Sequence, residues 1–448
     1  MRTPLIVAAI AAAGLTGCQS HPRKPLDVAG HVAEYHARSV SAPAVAEFAA
    51  SLNAATPGRI TFDTADGLTL EEAEVVALVF SPELREARAR AGVASASAAN
   101  AGLWEDPMVD VSIERMLTSM GRPWTVMGGL GLTLPITGVP KYEKQMAEGG
   151  LTVELARAAA MEWEVRTALR KAWVEWSASR ELVTVLEGRL AELDRLLERI
   201  TLIVQAGEMQ RVEAQMFRVE REMVSAELIR ARGEASIREM MIRREMGLPA
   251  KAELILLPRL VVEATDEPVA STHPELVLAE AEYEMAERAL ELEVAMQFPS
   301  IGLGAGTGRE EGNGLLTWGL TMPLPILNAN REGLAKALAS RELERIRCER
   351  MHEDLAIRAA TAAATLRARR AEREAYEKGV VPMVDAQAAD VERITAVGRV
   401  EPLMLMDSVS RRAEAKMRVI EARMEESLAA VELAASTYAG RPAQEQTR

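Results

Sequence analysis

Hydrophobic and polar residues alternate along four short segments of the chain, which form two pairs within residues 107–135 and 299–325. The apolar positions of these segments are Val109, Val111, Ile113, Leu130, Leu132, Leu134, Ile301, Leu303, Leu316, Trp318 and Leu320. Alternation with a period of two predicts β-strands that have one apolar and one polar face. A length of about ten residues is also what a tilted strand needs to cross a bilayer. Because glycine and threonine are frequent on the polar face, the pattern favours membrane strands over a small soluble sheet.

Asp110, Ser112 and Glu114 occupy the polar positions of the first predicted strand. A charged side chain that faces lipid costs about 2–4 kcal/mol at the bilayer midplane, whereas a water-filled lumen tolerates charge. We therefore expect these three side chains to face the interior of a barrel.

A long helical pattern follows the first pair of strands. It runs from Lys141 to about Gln205 without a proline, and about 65 residues at 1.5 Å each would form a rod of roughly 100 Å. Gly207 interrupts the pattern, and a returning helix is predicted over residues 208–246. Helices of this length cannot be buried within one compact core, so they need partners along their whole length.

The second pair of strands leads into a similar pattern over residues 328–396, with a bend predicted near Gly379 and Pro382. A turn follows at Gly398, and a returning helix extends through about Ala435. Each half of the chain also has a shorter helix before its strands. The length of this helix, added to that of the returning helix, roughly equals the length of one long helix. This arithmetic predicts a tube wall in which long helices alternate with stacked shorter ones.

The two halves of the chain present their motifs in the same order. Ser81-Pro82-Glu83-Leu84 opens a helix, and His273-Pro274-Glu275-Leu276 opens another 192 positions later, each with a proline at the first helical position. The turn glycines Gly207 and Gly398 are 191 positions apart. The sequence therefore predicts an internal two-fold repeat, and the boundaries of its two units are 68–249 and 273–439.

Four strands cannot close a barrel, and an open sheet edge in lipid leaves backbone N–H and C=O groups without partners. Three chains would supply about twelve strands, which suits a pore, whereas two chains would supply about eight and a nearly filled barrel. We therefore predict a mainly α fold with a small β part, assembled as a homotrimer. The strands of three chains would complete a 12-stranded barrel, and the helical hairpins would form a hollow cylinder beneath it.

The N-terminus has the pattern of an exported lipoprotein. A short positive start is followed by the apolar stretch LIVAAIAAAGL, which is too short to span a bilayer. Leu15-Thr16-Gly17-Cys18 resembles a bacterial lipobox, in which the cysteine is lipidated, and Gln19 fits sorting to the outer membrane. An ordinary signal peptide with an incidental cysteine is the alternative. The remaining predicted segments are a signal peptide at 1–17, a lipidated linker at 18–67, an equatorial linker at 250–272 and a C-terminal tail at 440–448.

Composition and charge exclude several kinds of function. The net charge of −13, with cations interleaved among acids along helices, argues against a nucleic-acid partner. Cys348 is the only cysteine besides Cys18, so there is no disulfide framework. Methionines such as Met404 at helical spacing are better explained by packing than by metal binding, and His31 and His36 lack a third ligand nearby. The sequence predicts neither an enzyme nor a cofactor or metal site.

Several motifs together have a recognisable order and spacing. They are Leu68-Thr69-Leu70-Glu71-Glu72-Ala73, Ser81-Pro82-Glu83-Leu84, Ala101-Gly102-Leu103-Trp104, Pro107, Pro135, Gly247-Leu248-Pro249 and Val380-Val381-Pro382. With these motifs the chain resembles the TolC-type outer-membrane efflux proteins from Leu68 to about Ala439. All but the first two motifs are most similar to the heavy-metal-efflux, CzcC-like branch of that family.

The resemblance implies a trimeric, lipid-anchored duct in the cell outer membrane that continues into the periplasm as a helical tunnel. Such ducts dock a periplasmic adaptor (membrane fusion) protein and an inner-membrane pump of the RND type, and substrate passes through them without chemistry. The turns that contact the adaptor in the family match Ala206, Gly207, Val397, Gly398 and Arg399.

The resemblance also implies a constriction at the tunnel mouth, where the matching positions are Glu213, Met404 and Asp407. A ring of charge at a constriction selects ions by their sign. Because Met404 stands where the family often has an aspartate, we expect a weaker cation filter here.

The branch resemblance makes metal cations the expected cargo, with drugs or other organic solutes as the alternative. A periplasmic adaptor or a purely structural coiled-coil lipoprotein is a less favoured interpretation. Adaptors usually have one helical hairpin, and a structural coiled coil needs no alternating strands.

Overall fold

The computed structural model describes residues 21–55, 62–115, 124–207, 209–260, 268–298, 300–310, 313–396 and 402–438. Its helices are α1 (Val28–His36), α2 (Pro43–Ala55), α3 (Leu70–Phe80), α4 (Pro82–Asn100), α5 (Val139–Gln205), α6 (Arg211–Glu245), α7 (Pro274–Ala295), α8 (Arg331–Ala375), α9 (Val381–Ala396) and α10 (Pro402–Thr437). Its strands are β1 (Met108–Arg115), β2 (Trp124–Leu134), β3 (Ile301–Glu310) and β4 (Asn313–Thr321). The predicted signal peptide, Cys18 and the C-terminal tail lie outside the described residues.

The prediction of a mainly helical chain with four strands is confirmed. The strands form one antiparallel sheet in the order β1-β2-β3-β4. β2 and β3 are neighbours although α5, α6 and α7 lie between them in the chain. Both halves of the chain therefore contribute one hairpin to the same sheet.

The longest element is α5, a single helix of 67 residues. Along the second half of α5, buried apolar residues recur at spacings of three and seven, as in Val183, Leu186, Leu193 and Ile200, which is the heptad spacing of a coiled-coil seam. α5 packs against α4, α6, α7 and α10, while α8 packs against α7 and α10. From one side of the helical wall to the other, the helices therefore follow in this order: α4 and α6, then α5, then α7 and α10, then α8 and α9. Among the described residues, no helix is long and apolar enough to cross a membrane.

At the position where a bend was predicted, near Gly379 and Pro382, a short π-helical turn, Tyr376–Val380, joins α8 to α9. Proline carries no N–H group for the helical hydrogen-bond ladder, so Pro382 suits a position where the ladder is already interrupted.

The end of α6 meets the start of α4 at a first junction. Gly247 ends α6 with a φ of 69°, and a Cβ atom at this position would overlap the carbonyl oxygen of Phe80 at the end of α3. The buried Ser81 caps α4 by accepting a hydrogen bond from the Leu84 N–H at 3.3 Å. α4 and α6 therefore lie one after the other along α5.

The end of α10 meets the start of α7 at a second junction. His273 is fully buried and caps α7, because its Nδ1 accepts a hydrogen bond from the Glu275 N–H at 3.2 Å. Its Nε2 then carries the proton and donates to the carbonyl oxygen of Ala435 at 3.0 Å. Tyr438 follows α10 with a φ of 60°, and its ring lies 5.8 Å from the His273 ring and 4.7 Å from Trp163.

The two ends of the wall are separated by a core at mid-height. Residues from α2, α3, α5 and α6 form its main cluster, which includes Val45, Val76, Trp173 and Met246. The segments before α3 and after α6 run side by side there in a parallel bridge, with the Leu68 N–H donating to the carbonyl oxygen of Ile255 at 2.7 Å.

We expect the second junction to weaken in mild acid because of His273. Burial is the largest cause that lowers the pKa of His273, and it outweighs the opposing hydrogen bond to Ala435. The folded chain therefore binds this proton less readily than the unfolded chain, whose histidine has the ordinary value of about 6.5. The stability that neutral His273 contributes is complete above that value and is lost as the pH falls below it.

The thermal unfolding midpoint of the purified protein, compared at neutral pH and at about pH 5.5, checks this expectation. His273→Ser keeps a capping hydroxyl, as Ser81 does for α4, and should reduce the difference between the two midpoints. The exposed His352 provides the matched control, and His352→Ser should leave the difference unchanged. An equal acid-induced drop in the His273→Ser protein and the wild type would contradict this assignment.

Candidate functional site

The register of the sheet places most of its large apolar side chains on one face. Residues paired across antiparallel strands share a face, as Val109 and Leu130 or Ala305 and Trp318 do. The members of this apolar face are Val109, Val111, Ile113, Trp124, Val126, Leu130, Leu132, Leu134, Ile301, Leu303, Ala305, Leu316, Trp318 and Leu320. Trp318 is 78% exposed and Leu320 is 69% exposed. Arg309 is on the same face, at the end of β3 nearest the β3–β4 hairpin loop.

The opposite face carries the residues predicted to line a lumen. Asp110, Ser112 and Glu114 pair with Gly129, Met127 and Thr125 respectively. The two acidic side chains form no ion pair with any described residue. The predicted segregation of polar from apolar positions is therefore present over most of the sheet, with Met108, Met127 and Leu315 as the large apolar residues on the polar face.

Glycines leave room for the side chains of the polar face. A Cβ atom at Gly129 would lie 2.5 Å from Oδ1 of Asp110, and one at Gly306 would lie 2.8 Å from Oγ1 of Thr317. A larger residue at either position would therefore require the side chain of Asp110 or Thr317 to move. The polar face is consequently shallow, with its larger side chains lying over the glycines of the adjacent strand.

Both outer edges of the sheet lack a partner strand in the part of the chain that the structure describes. Among the described strands, β1 pairs only with β2, and β4 pairs only with β3. Each edge presents a row of backbone N–H and C=O groups that can pair with another chain.

At the opposite end of the molecule, the tips of the two helical hairpins pack together. Ile200 of α5 and Phe217 of α6 form a buried cluster with Val391 of α9 and Leu405 of α10. The first hairpin turns at Ala206 and Gly207, both exposed, with a φ of 79° at Gly207. The other three predicted docking residues, Val397, Gly398 and Arg399, lie outside the described residues.

The three residues predicted at a constriction all lie near this end. Glu213 is in the first turn of α6, and its carboxylate accepts a hydrogen bond from the Gln210 N–H at 3.0 Å. Asp407 is exposed and forms an ion pair with Arg411 at 2.8 Å, one turn along α10. Met404 is 44% exposed. Glu213 thus caps a helix, which the sequence analysis did not foresee, and its place at a constriction stays a prediction.

An arginine that the sequence analysis missed connects the two hairpins. Arg412 of α10 lies 3.2 Å from Glu192 of α5, 3.5 Å from Asp385 of α9 and 3.4 Å from Glu392 of α9. Its side chain is 22% exposed. Because its three partners are far away in the sequence, no local pattern could have indicated this contact.

Arg412 also lines a cavity of about 610 Å³ between α5, α9 and α10. The other charged residues around this cavity are Glu192, Arg195, Arg199 and Glu392. Within the described residues, no group of three or more His, Cys, Asp and Glu side chains is placed to hold a metal ion.

No protein-family model and no curated protein matches this chain. Solved structures do match its fold. The outer membrane protein VceC from Vibrio cholerae superposes with a TM-score of 0.68 at 15% identity, over 82% of this chain and 95% of VceC. The outer-membrane channel OprN superposes with a TM-score of 0.72 at 15% identity, over 94% of this chain and 99% of OprN. The open state of the MtrE outer membrane channel from Neisseria gonorrhoeae superposes with a TM-score of 0.67 at 18% identity, over 82% of this chain and 88% of MtrE. This chain therefore has the fold of these channel proteins.

We expect Arg412→Gln to loosen α9 at the hairpin tip. The substitution removes the cation that lies among three carboxylates, whose mutual repulsion would then push α9 away from α5. Hydrogen–deuterium exchange of the α9 amides should become faster, while exchange in the middle of α5 should not change. Arg411→Gln, which removes only the ion pair with Asp407, is the matched control. Unchanged α9 exchange in Arg412→Gln would show that Arg412 does not hold the tip.

Proposed function

We propose that this protein is a TolC-like outer-membrane channel that conducts substrate passively out of the periplasm. The observation that carries the proposal is the sheet, whose apolar face is exposed while its polar and glycine-rich face is opposite. A sheet of a soluble protein buries its apolar face, whereas a membrane barrel turns it towards lipid. The likeness to the fold of solved outer-membrane channels supports the same conclusion.

In this proposal the apolar face of the sheet contacts lipid, and Asp110, Ser112 and Glu114 line the lumen. Arg309 would then lie near the rim of the barrel, where headgroups and water can solvate its guanidinium. The opposite orientation would place the two unpaired carboxylates in lipid. A charged side chain there destabilises a barrel, by about 2–4 kcal/mol for lysine or arginine at the midplane and by less for aspartate or glutamate.

We propose a homotrimer because the sheet and the helical wall are both open at the same two flanks. β1 follows α4 at one flank, and β4 precedes α8 at the other. α6, which packs on α5, carries a second apolar stripe that faces away from the chain, with the spacing of a coiled-coil seam. The members of this stripe are Val212, Met216, Val219, Met223, Ile237 and Met240. Three copies joined flank to flank would pair the sheet edges into twelve strands and cover this stripe.

We propose that the hairpin tips face a periplasmic adaptor protein and an RND-type inner-membrane pump. Ala206 and Gly207 would dock the adaptor together with Val397, Gly398 and Arg399. Glu213, Met404 and Asp407 would surround the tunnel mouth. This proposal is supported by position: the described members of both groups of residues lie at the same end of the molecule, near the hairpin tips.

We further propose that the chain arose from a duplicated unit and is anchored in the outer membrane through lipid on Cys18. The 192-position spacing of Ser81 and His273, which both cap a helix, supports the duplication. Metal cations are the proposed cargo, on the similarity of the Gly247-Leu248-Pro249 and Val380-Val381-Pro382 motifs to the heavy-metal-efflux branch.

Single-channel recording in planar bilayers tests the channel directly. The detergent-purified protein should form pores, and the variant Asp110→Asn with Glu114→Gln should reduce the cation-to-anion permeability ratio by about a factor of two or more. Asp66→Asn with Glu253→Gln removes the same charge from exposed positions at mid-height and should leave the ratio unchanged. Absence of any conductance would refute the proposal, and an unaltered ratio would refute the lumen assignment.

The assembly has its own test. Val219→Asp with Met223→Asp places charge on the outward stripe of α6, so the mass measured by light scattering in detergent should shift from trimer towards monomer. Arg218→Asp, at an exposed position of α6 outside the stripe, should remain trimeric. A wild-type protein that is monomeric in detergent, or a stripe variant that assembles normally, would contradict the proposed interface.

A further inference from the structure

The N-terminal helix α1 lies over the first junction and is held there mainly by polar contacts. Tyr35 donates its hydroxyl hydrogen to the carbonyl oxygen of Leu248 at 3.2 Å. Arg38 donates from Nη1 to the carbonyl oxygens of Gly247 at 2.8 Å and Phe80 at 3.4 Å. α1 buries none of its own residues. The attachment of α1 to the junction therefore depends on these few hydrogen bonds.

A cavity of about 440 Å³ lies at this contact, between α1, α4 and α6. The side chains around it that can carry a positive charge are His31, Arg38, Arg85, Arg243 and Arg244. None of its described lining residues is an aspartate or a glutamate. The nearest carboxylates that interact with these cations belong to Glu34, Glu239 and Glu245, which are outside the lining.

This concentration of cations is unlike the rest of the chain, which has a net charge of −13. Along the other helices, arginines such as Arg157, Arg345 and Arg373 are paired with glutamates. Arg85 and Arg244, in contrast, form no ion pair with any described residue. Of the four arginines around the cavity, Arg243 alone forms an ion pair with a carboxylate among the described residues, that of Glu239.

Two further features show that the cations here are incompletely compensated. Arg243 is buried, with 8% of its surface exposed. Its Nη1 pairs with Glu239 at 2.5 Å and its Nη2 donates to the carbonyl oxygen of Ala252 at 3.4 Å, whereas its Nε has no hydrogen-bond partner among the described residues. The pKa of Arg38 is lowered, first by burial and then by repulsion from Arg85. A buried donor without a partner and two neighbouring guanidinium groups are both stabilised when an anion binds.

We propose that this cavity binds an oxyanion of the phosphate type, which bridges α1 to α4 and α6. Guanidinium groups match phosphate oxygens in a planar, two-pronged geometry, and an anion bound between Arg38 and Arg85 would replace their repulsion with attraction, with Arg244 at the same cavity as a further cation. The bound anion would fix the N-terminal segment to the junction. This site does not depend on the channel proposal, because it lies at the opposite end of α4 from the sheet.

Calorimetric titration of the full-length protein in detergent with inorganic phosphate, at constant ionic strength, tests the site. The wild type should bind phosphate, and Arg85→Gln and Arg244→Gln should each weaken binding by about tenfold. Arg90→Gln is the matched control, because Arg90 is exposed on the same helix α4, pairs with Glu86 and is outside the cavity. Phosphate should also slow hydrogen–deuterium exchange of α1 in the wild type and not in Arg85→Gln.

Glycerol phosphate, titrated in parallel, distinguishes the two sources of the anion. Tighter binding of the ester would indicate a phosphate group carried by a larger molecule, and tighter binding of the inorganic ion would indicate free phosphate. Failure of the wild type to bind either probe would overturn the proposal, as would equal phosphate affinity in wild type, Arg85→Gln and Arg244→Gln. Pore formation in bilayers is measured separately, so it is unaffected by either outcome.

Discussion

The fold depends on covering the length of α5, a single helix of 67 residues. A helix of roughly 100 Å cannot be buried by one compact core, so its apolar positions must be met by different partners along its course. α4 and α6 meet it on one side and α7 and α10 on the other. The two junctions, at Gly247 and at Tyr438, are where one partner ends and the next begins. The caps Ser81 and His273 are buried at those junctions because the ends of two helices meet there.

The helical wall buries its apolar side chains within the chain, whereas the sheet leaves its apolar side chains exposed. In the wall, apolar residues such as Trp173 and Leu193 point between helices and are buried within the chain. In the sheet, Val111, Leu316 and Trp318 lie on an exposed face, and the glycine-rich face is on the other side. The alternation of residues is enough to specify which face is apolar. The medium that covers this face follows from the rest of the chain, since no described element packs on the exposed side chains of Leu316 and Trp318.

Local periodicity predicted the elements of this fold well. The four strands, the extent of α5 and the turn at Gly207 follow from spacings within the sequence, and the structure places them within a few residues of the prediction. Helices α1 and α2 were not predicted, since short segments with little apolar periodicity give a weak signal. The grouping of Asp110, Ser112 and Glu114 on one face was predictable because β-strand geometry alone determines it.

The contacts that connect distant parts of the chain could not be predicted in this way. Arg412 contacts Glu192 and Asp385, and Arg38 contacts the carbonyl oxygen of Gly247, across separations that no spacing rule covers. The capping role of Glu213 was within reach, because a glutamate three residues after a polar residue at a helix start is a known pattern. It was read instead through the family resemblance, which assigned the residue to the tunnel mouth.

The π-helical turn at Tyr376–Val380 determines the rotational phase of everything that follows it on the same helix. Such a turn holds one residue more than an α-helical turn, and each residue rotates the following side chains by about 100°. Val391 reaches the cluster with Ile200 and Leu405 in that phase. A chain lacking one residue in this turn would present a different side of α9 to the tip, so the length of this short segment is as tightly constrained as the identity of the residues it orients.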